Sequence, residues 1–174
     1  MKQINFSKVD IIKSDLFKVN EVLKSGWLTH GKYTKLFEEE FKKFTNSGFA
    51  TTVSSCTAGL HLIFLALGIG KGDTVLVPAM SHVASAHAAS YTGAKIKFAD
   101  VDLETGNITF DEIKKNFNNS IKAIIIVHMS GIPVKDAEKI KNFCKKNKVF
   151  LVEDCAHGLG SKLNFKHVGN FGDA

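Results

Sequence analysis

The apolar and polar positions of this chain follow two periods, and the change between them falls near residue 49. Before it, VDIIKSDLFKVNEVLK (9–24) and YTKLFEEEFKKFT (33–45) place apolar side chains three and four residues apart, the repeat that gathers them on one face of a helix. Between these two predicted helices, GWLTHG breaks the pattern with two glycines. After residue 49, short apolar runs at 49–53 (FATTV), 74–78 (TVLVP), 95–101 (KIKFADV), 122–128 (KAIIIVH) and 149–153 (VFLVE) alternate with helical periodicity at 57–67, 82–92, 109–117 and 134–146. Strand and helix in alternation predict right-handed βαβ crossovers and a mostly parallel sheet. The run AIIIV lacks polar alternation, which predicts a strand covered on both faces. The expected fold is α/β, a three-layer α/β/α arrangement, with a helical segment over 1–48 and the sheet domain over 49–174.

In open α/β sheets ligands bind beyond the carboxyl ends of the strands. Here those ends carry SSCTAG, PAMSH, HMSG and EDCAH, where small and polar residues concentrate. The last of them poses a question, because VFLVEDCAHGLG starts as a core strand and runs into Asp154, where burial disfavours the charged form unless a cation lies opposite. No partner for it is evident in the sequence.

Composition narrows the class without deciding it. At 174 residues and 44% apolar the chain can bury one sizeable core. It carries 23 basic and 17 acidic residues, a net +6, yet the lysines are spread over several helices with no run of five like charges, so a solvated surface rather than a nucleic-acid site is expected. Cys56, Cys144 and Cys155 are odd in number and lack CxxC spacing, which speaks against a disulfide framework and a zinc ribbon. The N-terminus shows no signal-peptide core, and no stretch reaches the ~18 apolar residues of a membrane span. A cytoplasmic location, with no membrane or nucleic-acid partner, is the expectation.

Three sequence features carry candidate chemistry. Ser54, Ser55 and Thr57, with the small Ala58 and Gly59, open the helix after FATTV, and unpaired N–H groups with the helix dipole favour phosphate there. Taken alone this is also what an ordinary N-cap looks like. His82 follows a proline-ended run and could lay a flat ring against a planar ligand, or simply pack in a first turn; His87 is expected at the surface or in a helix contact. Asp154, Cys155 and His157 have metal-binding side chains, but neighbouring residues of an extended chain point in different directions, and His128 reads as a core histidine bonded to backbone, so no metal site is expected. There is no GxGxxG after the first run and no GxxxxGK[ST]. A phosphate cradle, a flat side chain and a buried carboxylate on one sheet edge together suit pyridoxal 5′-phosphate, whose ring nitrogen must stay protonated to act as an electron sink. A pyridinium would answer the question posed by Asp154.

From about residue 25 onward the chain resembles the DegT/DnrJ/EryC1/StrS sugar aminotransferases, among the fold type I pyridoxal-phosphate enzymes. The likeness rests on GWLTHGKYTKLFEEEF, on the long stretch from SSCTAGLHLIF to KIKFADVD, on IIIVHMSGIP and on VEDCAHGLGSKLNFKHVGNFGD, in that order and spacing. The resemblance implies that Thr57 and Ala58, with Ser55 beside them, contact the cofactor phosphate. It implies that His82 takes the ring-stacking position, where Phe or Trp is frequent, that Asp154 pairs with the pyridine nitrogen, and that His157 lies beside the ring. It also implies that Gly26, Trp27 and Thr29 approach the substrate.

The reaction implied is transfer of an amino group from glutamate to a keto group of a nucleotide-linked deoxysugar, by a homodimer. In such enzymes a lysine holds the cofactor covalently and moves protons; it lies a few residues beyond the position of Gly172 and Asp173, and this chain stops at Ala174. Lys162 and Lys166 are the nearest lysines but fall in a hairpin-like stretch. The chain is therefore expected to be the N-terminal part of a longer enzyme, an incomplete large domain without the small domain, and inactive alone. Two alternatives stand beside it: a dehydratase of the same fold with histidine at the lysine position, and a non-catalytic binding or regulatory protein that keeps the cofactor cradle.

Overall fold

The computed structural model describes residues 8–174. Most of the stretch in which a signal-peptide core was sought, residues 1–7, lies outside them. In chain order the elements are α1 (Lys13–Ser25), α2 (Lys32–Thr45), α3 (Cys56–Ala66), β1 (Thr74–Pro78), α4 (Val83–Ser90), β2 (Lys95–Ala99), α5 (Phe110–Asn116), β3 (Ile121–Val127), α6 (Ala137–Asn147), β4 (Phe150–Asp154) and a small hairpin of β5 (Lys162–Leu163) and β6 (Lys166–His167). A single 3₁₀ turn, Met129–Gly131, follows β3.

β1 to β4 form one parallel sheet in the order β2-β1-β3-β4. Successive side chains of a strand point to opposite faces, so each face collects alternate residues. On one side Val75, Val77, Ile125 and Val152 pack against Leu60 and Phe64 of α3 and the small Ala88 and Ala89 of α4. On the other, Leu76, Ile124, Ile126 and Leu151 meet Ile113 of α5 and Ile140 and Cys144 of α6. These are the three layers expected, and AIIIV is covered on both faces, with Ala123 to Val127 all buried. Each fully buried Ile, Leu or Phe contributes about 1.5–3 kcal/mol relative to exposure, which makes β3 the energetic centre of the sheet.

One predicted strand does not form. FATTV, residues 49–53, joins no ladder among the described residues. The Thr52 N–H and hydroxyl instead donate to Glu38 Oε1 of α2, at 2.7 and 2.8 Å, and Phe49 is 94% exposed. An apolar run becomes a strand only when a neighbour accepts its backbone bonds. The other elements shift by a few residues. The 134–146 periodicity starts as helix only at Ala137, Asp136 having turned its carboxylate to the Phe110 N–H, and β2 ends at Ala99, with Val101 bridging Ile108 instead.

Among the described residues no helix is long and apolar enough to cross a membrane.

Candidate active site

The carboxyl end of β4 lies beside β3, where the His128 N–H donates to the Asp154 carbonyl at 3.2 Å. Alternation turns Val152 and Asp154 toward α3 and α4. Asp154 is only 4% exposed. Its Oδ2 accepts from the Ser85 hydroxyl at 2.7 Å, and that hydroxyl lies 2.9 Å from Ser81 Oγ. Its Oδ1 accepts from the Ala156 N–H at 3.1 Å and, weakly, from Cys56 Sγ at 3.7 Å. No cationic side chain pairs with it among the described residues.

Ser85 sits in the first turn of α4 and Cys56 opens α3, so the starts of both helices converge on Asp154. Ser55 caps α3, its hydroxyl accepting the Ala58 N–H at 3.1 Å, while Thr57 and Ala58 form the first turn and are half-buried. His82 caps α4 through Nδ1, which accepts the Ala84 N–H at 3.2 Å, and its ring is exposed. His157, also exposed, accepts the Ser130 N–H at Nδ1, 3.3 Å away. That contact joins the turn after β3 to the loop after β4; Gly131 there has φ +81°, and a Cβ would come 2.9 Å from the His157 carbonyl oxygen.

The site is an open shelf rather than a closed pocket. A cavity of about 630 Å³ reaches it at Ser55, Cys56, Cys155 and Ala156, but the rest of its lining comes from α2, residues 47–53 and the segments 158–160 and 167–170, with Ala174. Gly26, Trp27 and Thr29 are not brought to Asp154. Gly26 ends α1 at φ +69°, and Trp27 and Thr29 line a separate hollow of about 460 Å³ with Glu21 and Tyr33, a hollow to which none of the Asp154 group contributes. Lys166 leans across the Phe171 ring toward Glu138 of α6, on the opposite side of the sheet from Asp154.

Sequence reasoning passed over Ser81, Ser85 and Cys56. Small polar residues at a helix start are common, and only the structure shows that Ser85 and Cys56 meet Asp154 and that Ser81 lies against Ser85. His87 is exposed and stacks near Tyr91, as expected. His128 is fully buried, as expected of a core histidine, and its Nδ1 accepts the Val134 N–H at 3.0 Å.

The electrostatics follow from these contacts. Burial, then the nearby Asp154 charge and its hydrogen bond, push the Cys56 thiol up to about 11. Burial, with Glu153 and Asp154 beside it, raises the Cys155 thiol further. Burial also works against the charged form of Glu153, but hydrogen bonds from His128 and from the Gly169 and Gly172 N–H groups outweigh it and hold that carboxyl below its ordinary value.

The structure thus presents a parallel α/β sheet whose buried carboxylate, paired with no cation among the described residues, faces two helix starts. The comparisons place it more closely: the profile of the DegT/DnrJ/EryC1/StrS aminotransferase family matches residues 9–174, and the chain belongs to that family. It is 41% identical over 174 residues to GDP-perosamine synthase of Escherichia coli O157:H7, covering 99% of this chain and 48% of that protein. The PLP-form of the putative sugar aminotransferase Spr1654 from Streptococcus pneumoniae superposes with a TM-score of 0.88 at 31% identity, over 99% of this chain and 47% of the other. An E. coli GDP-4-keto-6-deoxy-D-mannose-3-dehydratase with bound hydrated PLP gives 0.91 at 29%, over 99% and 46%. The chain thus spans about half the length of the relatives it matches, and pyridoxal phosphate is the cofactor that this family and its solved members indicate.

Proposed function

We propose that this chain forms the cofactor-binding part of a pyridoxal-phosphate aminotransferase that moves an amino group from glutamate to a keto group of a nucleotide-linked deoxysugar. The observation that carries the reading is Asp154, a buried carboxylate with hydroxyl, amide and thiol donors but no counter-cation among the described residues. Such an anion is costly unless a positive group completes it, and a protonated ring nitrogen is of the right charge and shape.

The first turn of α3, with Ser55, Thr57 and Ala58, would hold the phosphate through its N–H groups and dipole. His82 would lie against the ring face and His157 beside it. Gly26, Trp27 and Thr29 would belong to the sugar side of the site; their distance from the Asp154 group suits a contact made in a homodimer, where one subunit completes the other. When bound, the cofactor supplies an electron sink for charge that develops next to the transferred amine. Asp154 would keep the ring nitrogen protonated, and the Ser81–Ser85 hydroxyl pair would keep the Asp154 carboxylate oriented. The domain division at residues 48 and 49 remains part of the same reading.

A second reading, sugar dehydration by the same cradle, is favoured by the dehydratase superposition alone. The 41% identity to an amine-installing relative ranks transfer first.

The test is Asp154→Asn in the intact protein. The cofactor should still bind, while the half-reaction with glutamate should slow by at least about a hundredfold, the scale expected when a group stabilising developing charge is removed. Rates equal to wild type would leave Asp154 with a structural role only.

A further inference from the structure

Two buried polar side chains take no part in the function just proposed. His128 is fully buried at the end of β3 and Glu153 is 6% exposed in β4, one residue before Asp154. Alternation sends Glu153 to the opposite face from Asp154, toward the loop 168–172. Its Oε1 accepts the Phe171 and Gly172 N–H groups, both at 2.5 Å, and its Oε2 accepts the Gly169 N–H and His128 Nε2–H, both at 2.9 Å. The direction of the histidine bond is set by the ring's other nitrogen, because Nδ1 accepts from the Val134 N–H and so carries no proton.

Both carboxylate oxygens are therefore filled, two donors to each. Cys155 Sγ lies with the His128 and Glu153 ligand atoms within 4.8 Å, yet no lone pair of Glu153 is left for an ion. The loop is held close as well as bonded. A Cβ on Gly172 would come 2.5 Å from the Leu151 carbonyl oxygen, and the Asp173 N–H donates to that same oxygen at 2.7 Å. On the β3 side, the His128 N–H holds the Asp154 carbonyl.

We propose that Glu153 and His128 are positioning residues: together they lock the carboxyl end of β4 from behind, so that the Asp154 carboxylate keeps its aim at the α3 and α4 starts. The inference rests on Asp154 being the cofactor's partner. A carboxylate is an expensive way to fill a core unless all of its bonds are made, and four donors from two separate segments, the loop 168–172 and the end of β3, converge here on one residue of the strand that presents Asp154.

The experiment uses the intact protein loaded with pyridoxal phosphate labelled with ¹⁵N in the ring, whose resonance reports the state of that nitrogen independently of turnover. Glu153→Gln keeps the shape but turns an NH₂ toward two N–H donors; His128→Leu removes one donor and leaves the other three. In folded Glu153→Gln the ring resonance should move toward its position in Asp154→Asn, and kcat for the glutamate half-reaction should fall about tenfold with KM within about twofold, the pattern of an interaction lost in the transition state. His128→Leu should move the resonance the same way by less.

A folded Glu153→Gln with the wild-type resonance, while Asp154→Asn shifts it, overturns the positioning role alone. If Glu153→Gln does not fold, an unchanged resonance in His128→Leu overturns it. If Asp154→Asn itself leaves the resonance where it was, the cofactor reading fails and takes this inference with it.

Discussion

At the scale of single residues, the environment of Asp154 can be read out through the thiol that touches it. The sulfur of Cys56 turns in toward Asp154, and burial with the neighbouring carboxylate raises its pKa to about 11. Alkylation proceeds through the thiolate, so at pH 8 Cys56 should react with iodoacetamide about a hundredfold more slowly than an unperturbed cysteine, the rate rising tenfold per pH unit until about pH 11. Cys144, raised to about 12 by burial, and Cys155, raised further, should be slower still, and peptide mapping separates the three. In Asp154→Asn two of the three influences on Cys56 are gone, and its alkylation at pH 8 should accelerate. A rate that levels off near pH 9, or that ignores the Asn substitution, would separate the thiol from the carboxylate. Asp154 itself was legible in the sequence because a carboxylate ending an apolar run is anomalous. Ser85 was not, because nothing along the chain marks a serine that meets a residue 69 positions away.

At the scale of elements, the sheet was legible wherever an apolar run had a neighbour to pair with. TVLVP, KIKFADV, KAIIIVH and VFLVE all became strands within a few residues of their predicted bounds. FATTV is also a short run rich in apolar and β-branched residues, but its Thr52 N–H and hydroxyl go to Glu38, and sequence pattern cannot say whether a ladder partner is present. Helix starts were legible too, although their purpose was not: the sequence of α3 left an ordinary cap and a phosphate contact indistinguishable. Ser55→Ala distinguishes them. Loss of the Ser55 to Ala58 bond should cost about 1 kcal/mol in urea denaturation whichever reading holds. If the helix start also binds the cofactor phosphate, affinity for pyridoxal phosphate, followed by fluorescence titration, should weaken in parallel. Destabilisation with unchanged affinity would reduce Ser55 to a cap.

At the scale of the whole molecule, the distribution of apolar surface bears on assembly. α1 buries none of its residues, Phe37, Phe41 and Phe44 of α2 are exposed, and Phe49 stands almost free. The Phe37 and Phe41 rings lie 5.9 Å apart and border the 630 Å³ cavity together with Phe49, so these three form a connected patch rather than scattered positions. Lone soluble chains rarely leave such patches uncovered. The net charge of +6 opposes self-association, and the two effects respond differently to salt. Repulsion between like charges is screened over roughly 10 Å at 0.1 M salt, whereas apolar contact is not weakened. The 19.0 kDa chain should therefore sediment as a dimer at higher concentration, and the transition should move to lower concentration as salt is raised. Replacing Phe37 and Phe41 together by Lys should abolish the dimer while leaving the far-ultraviolet circular dichroism unchanged, since neither ring is buried. A species of 19.0 kDa persisting to about 100 µM, or association that weakens with salt, would show that this face does not hold a second copy.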